Sequence, residues 1–317
     1  MYKFLLFLIL NTICLSTFSQ SEITEIELKE HLQFLTSEKN AGRYPGGKEN
    51  KRVVKYLKKE FKNLGLVSFN DDYRQAFEAS LRVKKGAKKP KVTTWNVVGY
   101  IEGNDPVLKN EFVVLGAHYD HLGLGGPSSK SDKKNTIHYG ADDNASGTSA
   151  LLEIAEKIAS QKDTLKRSVL FIAFGAEEQG LLGSRYFVNN PLVPLSQIKL
   201  MINMDMVGRL NKAKQVYMGG AGTFPDGVNV MKDLGKSLDL NPVVHAGSVG
   251  GSDHVSFYRK GISVLGMHTG GHPQYHTPDD TIDLINIKGQ KQVCEYIFET
   301  IMKIASTDYK MKFIKQD

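Results

Sequence analysis

Two apolar runs of strand length, Phe112–Ala117 and Val169–Phe174, narrow the architectures open to this chain more than any other feature. A strand with one wet face alternates apolar and polar residues, whereas an unbroken apolar run fits a sheet covered on both sides. Between them, Ala145–Ala159 reads as a helix rich in Ala, Leu and Ile, with Asn144 or Ser146 as its N-cap. Further strands are expected at Leu200–Met204, Val216–Met218, Val243–Val244 and Ile262–Met267, and helices at Leu181–Val188, Val228–Leu238, Ser252–Tyr258 and Gln290–Ile304. Ahead of this alternation lie a helix at Glu25–Leu35, a turn at Arg43–Gly47 and an amphipathic helix at Asn50–Leu64. Strands at Tyr73–Phe77 and Thr94–Ile101 follow, joined through a basic hairpin tip. Strands alternating with helices predict an α/β fold: a single domain with a mostly parallel central sheet and helices on both faces. No Pro-, Gly- or Ser-rich linker divides it.

The chain has 317 residues and a net charge of +7, most of it dispersed. Of its local basic runs, Lys55–Lys62 reads as the solvated face of a helix and Lys84–Lys91 as a loop or hairpin tip. Neither is interleaved with aromatic residues, so no nucleic-acid partner is expected. Residues 1–20 read as a signal peptide, with Lys3 in the basic region, Phe4–Leu10 as the apolar region and Thr17-Phe18-Ser19 before the cleavage site. The strongly apolar run is short for a membrane span of roughly 20 residues. Cleavage near Ser19 or Gln20 is therefore expected, leaving residues 21–317 as a secreted or periplasmic domain without a stable membrane span. Asn11-Thr12-Ile13 lacks the small residues that a lipoprotein site at Cys14 would need. With Cys14 removed, Cys294 has no partner for an intramolecular disulfide, and a hydrophobic core must carry the stability.

His118, Asp143, Glu178, Asp205 and His276 are the candidate metal ligands. The first four stand where an apolar run gives way to a Gly- or Asp-rich turn, and His276 lies in a loop. In open α/β sheets the functional crevice lies beyond the carboxyl ends of the strands. These side chains, with Asp120 and Glu177, can converge there, placing the metal site at the C-terminal ends of the strands. Two imidazoles and three carboxylates suit a pair of zinc ions about 3.5–4 Å apart. In an extended segment residues i and i+2 share a face, so Asp120 is placed to hold the second ring nitrogen of His118. Asp142 and Asp143 open the Ala-rich helix, and the residues alone leave open which of them would bridge two cations. Adjacent Glu177 and Glu178 repel in a sheltered cleft unless a metal neutralises one and the other handles a proton. Asp205, between Met204 and Met206, is costly to bury unless paired or metal-bound. His121, His138, His245, His254, His268 and His272 read as ordinary packed or surface histidines, with His254, at a capped helix start, the strongest exception. No Gly-x-Ser-x-Gly elbow occurs, Cys294 lies in an apolar helix, and no Gly pair has a nucleotide-site context.

In this order, GAHYDH, GADDNASG, FGAEEQGLLGSRYF, INMDMVGR, GGSDH and YHTPDDT resemble the M28 family of zinc peptidases, from about Thr94 to the last helix. The resemblance implies two zinc ions, one on His118 and Asp205 and one on Glu178 and His276, with Asp143 bridging. Asp143 is preferred to Asp142 because the family's bridging residue lies four positions before the Gly that ends this motif, here Gly147. It also implies a cis peptide at Asp143–Asn144, Asp120 as the residue that orients His118, and Glu177 as general base. The gap between His121 and His138 is too short for the protease-associated domain inserted in many members. The implied activity is that of an aminopeptidase acting on peptides with a free N-terminus. A glutaminyl cyclase-like acyltransferase shares the fold and a related metal site, and a binding module on the same scaffold would have lost ligands. The five-ligand set and the Glu177-Glu178 pair favour the peptidase. Phe257, Tyr258, Met267 and Tyr275 are candidates for an apolar pocket or for the core.

Overall fold

Strand β3 (Phe112–His118) is buried along its whole length and has parallel neighbours on both edges, β4 (Ser168–Phe174) and β5 (Ile198–Met204). These ranges come from a computed structural model that describes residues 21–69, 71–83 and 86–316. The expected signal peptide at 1–20, Cys14 within it, and part of the Lys84–Lys91 run lie outside the described residues. Strand β8 (Ser263–His268) extends the parallel centre beyond β5. The flanks are mixed. The hairpin of β1 (Arg74–Ser80) and β2 (Lys91–Ile101) joins antiparallel to β4, and β6 (Gln215–Gly219) runs antiparallel to β8 with β7 (Asn241–Val244) parallel at the far edge. The order is β1-β2-β4-β3-β5-β8-β6-β7.

Period-2 alternation along the central strands feeds two separate cores, and Phe77 and Ala79 of β1 feed a smaller third one. Val113, Leu115 and Ala117 of β3 join Val169, Phe171 and Ala173 of β4 on one face, while Phe112 and Val114 join Leu170, Ile172 and Phe174 on the other. The first face is covered by α1 (Glu25–Leu35), α2 (Lys48–Asn63), α3 (Gly147–Ser160), α5 (Gly227–Ser237) and α7 (Ile287–Ala305). The second is covered by the short helices α4 (Leu182–Asn189) and α6 (His254–Tyr258), whose Phe187 and Phe257 stack at 5.7 Å. The fold is thus the expected single α/β domain.

Local chemistry sets the helix ends. Thr24 caps α1: its hydroxyl accepts the Glu27 N–H at 3.0 Å and donates to the Glu27 carboxylate at 2.6 Å, while its own N–H donates to Glu153 at 3.1 Å. Along α2, Val53, Val54, Leu57 and Phe61 are buried on one stripe; each fully buried apolar side chain stabilises by roughly 1.5–3 kcal/mol. Between the two cap candidates for α3, the side chain that caps is Asn144, whose Oδ1 accepts the Gly147 N–H at 2.9 Å. Regular helix begins at Gly147, later than expected, because Ala141–Ser146 form a wider turn containing the cis peptide Asp143–Asn144. Among the described residues no helix is long and apolar enough to cross a membrane.

Candidate metal centre

The crevice at the carboxyl ends of β3, β4, β5 and β8 gathers the candidate residues, because each strand ends at the same edge. His118 is the last residue of β3 and pairs in register with Phe174, the last of β4. Three residues beyond Phe174 a tight turn begins, in which Gly180 and Leu181 both donate N–H bonds to the Glu177 carbonyl, at 2.8 and 2.7 Å. That turn sends consecutive carboxylates in different directions: a Glu177 oxygen lies 4.0 Å from His118 Nε2, whereas Glu178 faces His121 and His276. Asp205 follows β5 directly, its N–H bonded to the Met267 carbonyl of β8 at 3.1 Å. His276 reaches in from a loop at φ +61°, with Nδ1 fixed 2.9 Å from the Ser128 carbonyl.

Asp143 stands at the middle. Its Oδ1 lies 3.3 Å from His118 Nε2, and its Oδ2 lies 3.2 Å from His276 Nε2. Asp205 Oδ1 is 3.5 Å from the same His118 nitrogen, and Glu178 Oε2 is 3.2 Å from the same His276 nitrogen. Asp142 turns away: its Oδ1 accepts the Gly208 N–H at 2.7 Å and its Oδ2 faces His272 at 3.3 Å. The Asp142 and Asp143 N–H groups both donate to the Asp280 carboxylate, at 3.0 Å to its Oδ2, and Arg209 donates to Asp280 from the other side at 2.6 Å. Asp280 and Arg209 therefore hold the backbone that carries Asp143, a role visible only after folding.

One expectation needs correction. Strand alternation would put the Asp120 carboxylate on His118, but β3 ends at His118 and the alternation ends with it. His118 Nδ1 instead meets the Asp120 carbonyl at 3.1 Å, and the Asp120 carboxylate accepts the Glu177 N–H at 2.9 Å. His121, expected as a packed or surface histidine, is packed. It is fully buried, with Nδ1 2.8 Å from Glu178 Oε1 and 3.8 Å from Asp143 Oδ2. Sequence held one faint signal for it, its place three residues after His118 in the same strand exit.

The electrostatics are those of acids and imidazoles balancing one another in a sheltered place. Burial disfavours charge on His118, yet Asp205, Glu177 and Asp143 outweigh it and hold the imidazole well above its ordinary value. Burial likewise opposes charge on Asp143, but His118, His276 and His121 hold this carboxyl well below the usual range. Glu178 is held low in the same way, with His121 and His276 overcoming burial and the Asp143 charge. Glu177 goes the other way: burial, reinforced by Glu178, Asp253 and Asp205, raises it well above the usual carboxylate range against the pull of His118. Asp253, fully buried near the helix start that drew attention to His254, is pushed up to about 7, chiefly by burial.

Buried polar atoms are normally hydrogen-bonded. Among the described residues, His118 Nε2, Asp143 Oδ2, Glu178 Oε1 and both nitrogens of His121 have no such partner. Donor atoms of His118, Asp143 and Asp205 lie within 4.8 Å of one another, as do those of His121, Asp143 and Glu178. Nitrogen and carboxylate oxygen in these numbers are the donor set of zinc. A cation in each group would satisfy His118 Nε2, Asp143 Oδ2, Glu178 Oε1 and the Nδ1 of His121, so the residues present fit the metal.

Beside Asp205 a cavity of about 740 Å³ opens, lined by Met206, Tyr217, Met267, His254, His268 and Tyr275 among others. Of the four pocket candidates, Met267 and Tyr275 line it. Phe257 is core, and Tyr258 packs on Phe313. His254 also faces this cavity, its ring against Gly266. Cys294 is buried and burial raises its thiol, so it is no nucleophile at neutral pH.

Comparison with known proteins bears on the whole arrangement. The sequence profile of Peptidase family M28 matches residues 96–301. The aminopeptidase YwaD of Bacillus subtilis is 30% identical over 256 residues, covering 76% of this chain and 51% of that protein. A probable leucine aminopeptidase 2 of Arthroderma benhamiae is 32% identical over 56% of this chain and 34% of its own length. The chain thus spans about half the length of the first relative and about a third of the second. The structure of a zinc aminopeptidase from Bacillus subtilis superposes with a TM-score of 0.70 at 19% identity, covering 90% of this chain and 96% of that one. The glutaminyl cyclase of Porphyromonas gingivalis superposes with a TM-score of 0.68 at 20% identity, covering 89% and 99%. At such identities the two superpositions establish the shared fold.

Proposed function

We propose, from the premise that the chain belongs to peptidase family M28, that it is a co-catalytic zinc aminopeptidase removing N-terminal residues from peptides. The observation that carries this reading is the posture of Asp143, with one carboxylate oxygen toward His118 and the other toward His276. A carboxylate so placed suits two cations, one among His118, Asp143 and Asp205, the other among Asp143, Glu178 and His276. When bound, zinc supplies a water acidic near neutrality and a positive centre that polarises the scissile carbonyl.

The chain's own residues do the rest. Glu177 is an acid of the cluster outside both cation groups, held at its backbone by the Asp120 carboxylate and raised in proton affinity by its buried surroundings. A carboxylate of raised proton affinity is a stronger base, suited to take a proton from the attacking water and return it to the leaving amine. The cavity beside Asp205 offers the side chain of the substrate's first residue a place lined by Met206, Tyr217 and Met267. Residues 1–20 support a site of action beyond the cytoplasmic membrane, in the periplasm or the medium, because they combine a basic start with a short apolar run.

The test is a panel of free and N-blocked peptides, with and without chelator. Free peptides are expected to lose residues one at a time from the N-terminus, blocked ones to resist, and chelation to abolish turnover until zinc is restored. Equal cleavage of blocked peptides would refute the exopeptidase reading. Conversion of N-terminal Gln peptides to pyroglutamate, with no hydrolysis, would assign the chain to the cyclase branch of the fold.

A further inference from the structure

We propose that His121 is a second imidazole ligand of the ion held by Glu178 and His276, so that the two metal positions differ in both ligand number and hold. The inference rests on the dinuclear reading above and goes beyond it, because the expected ligand set has one imidazole at each position.

Three observations carry it. The first is distance: His121 Nδ1 lies 2.8 Å from Glu178 Oε1 and 3.8 Å from Asp143 Oδ2, so the three atoms can surround one cation. Glu178 then offers Oε1 to the His121 side and Oε2 to the His276 side, where His276 Nε2 stands at 3.2 Å. The second is the state of the ring. His121 has no exposed surface; its Nδ1 faces Glu178 at close range but without hydrogen-bond alignment, and its Nε2 has no hydrogen-bond partner among the described residues. A packed core histidine usually satisfies at least one nitrogen. Nearby His138 does so twice, with Nδ1 2.9 Å from the Thr136 carbonyl and Nε2 2.8 Å from the Ser129 hydroxyl. The third is what fixes the ring in place. His118 and His276 are each anchored through Nδ1 to a main-chain carbonyl and present Nε2 inward. His121 presents Nδ1 and is wedged by packing. A Cβ on Gly140 would come within 2.5 Å of its ring, and His276 meets it edge-on at 5.9 Å between centroids. A ring locked by its neighbours is presented to a cation with little freedom left to lose.

The two positions then differ in kind. The group of His118, Asp143 and Asp205 has three protein ligands, the number that leaves a zinc coordination place open, and Glu177 stands beside it. The group of His121, His276, Asp143 and Glu178 has four, the number that closes a tetrahedral site. The four-ligand position is expected to keep its ion when the other has been stripped.

The experiment is chelator competition on the full-length protein, read by metal content rather than turnover, alongside visible spectra of the Co²⁺-loaded protein. Wild type is expected to release its ions in two well-separated steps. His121→Ala, and His121→Phe, which keeps a packed ring without nitrogens, are expected to release the tighter ion at about 100-fold lower chelator, beyond the middle of the range for an outer partner of a ligand. The Co²⁺ bands should change in both variants, as loss of a nitrogen ligand requires. Circular dichroism confirms that a variant is folded, and the Phe variant carries the test if the Ala variant is not. A shift of the tighter step within about ten-fold of wild type, or unchanged Co²⁺ bands, would overturn the proposal. Wild type binding no zinc at all would instead overturn the dinuclear reading on which it rests.

Discussion

Glu177→Gln is expected to lower kcat by about 10²–10⁴-fold, the usual contribution of a positioned general base, while metal content stays at the wild-type level. The amide has the size and shape of the carboxylate but cannot take a proton. The two results are expected together because the neighbouring glutamates diverge: Glu178 turns toward His121 and His276, and Glu177 lies on the His118 side, 4.0 Å from its Nε2, outside both groups of converging donor atoms. A pH profile adds a readout that a structural role would not move. Glu177 must be ionised to act and is raised by burial and by the charges of Glu178, Asp253 and Asp205. Wild-type activity should therefore fall as pH drops through the value at which Glu177 takes up a proton, and the Gln variant should lack that acid limb. Zinc lost from the variant would show Glu177 to be a ligand, and full activity would remove it from the chemistry.

How far the sequence revealed this site follows from which signals are local. The strands were legible because burial on both faces leaves an unbroken apolar run, as in Val169–Phe174. His118, Glu178 and Asp205 were legible because each follows such a run within a few residues, and strand ends converge. Asp120 was legible in position but not in contact: alternation predicts which face a residue shares only while the strand lasts, and β3 ends at His118. His121 was read past because its partner, Glu178, lies 57 residues away and no spacing rule links them. The support of Asp143 by Asp280 spans 137 residues and two loops, and it carries no local pattern at all. Turn chemistry misled in one place. Arg43-Tyr44-Pro45-Gly46-Gly47 is a turn, as its composition says, but its first residue is one of the largest fully buried side chains in the molecule.

Arg43→Met is expected to destabilise the fold by roughly 3–5 kcal/mol, as removal of one partner from a buried charged network does. Arg43 adopts φ +55°, an uncommon backbone setting for a long side chain, and its guanidinium makes four bonds to main-chain carbonyls. Nε donates to Tyr119 at 2.7 Å, Nη1 to Leu35 at 3.0 Å and to Tyr139 at 2.7 Å, and Nη2 to Gly140 at 3.1 Å. Those carbonyls belong to the end of α1, the exit of β3 and the approach to the turn bearing Asp143. Arg43 thus adds a polar tie between three segments that also meet in the hydrophobic core through Leu35, Tyr119 and Ala141. Burial lowers its pKa to about 10, against the pull of Asp120, Asp143, Asp280 and Glu178, so it remains charged at neutral pH. It is also a fixed cation behind an acidic cluster. Met fills similar volume, which confines the loss to hydrogen bonds and charge. Arg43→Lys should recover little, because one ammonium cannot reach four carbonyls in a planar fork. Urea unfolding of the chelated and zinc-loaded protein checks both points. Without metal, Arg43 is one of the buried positive charges that those acids feel. With metal the ions share that work, so zinc should narrow the gap between Arg43→Met and wild type. An equal gap in both states would confine Arg43 to holding backbone, and a gap below about 1 kcal/mol would mean that water replaces all four of its bonds at little cost.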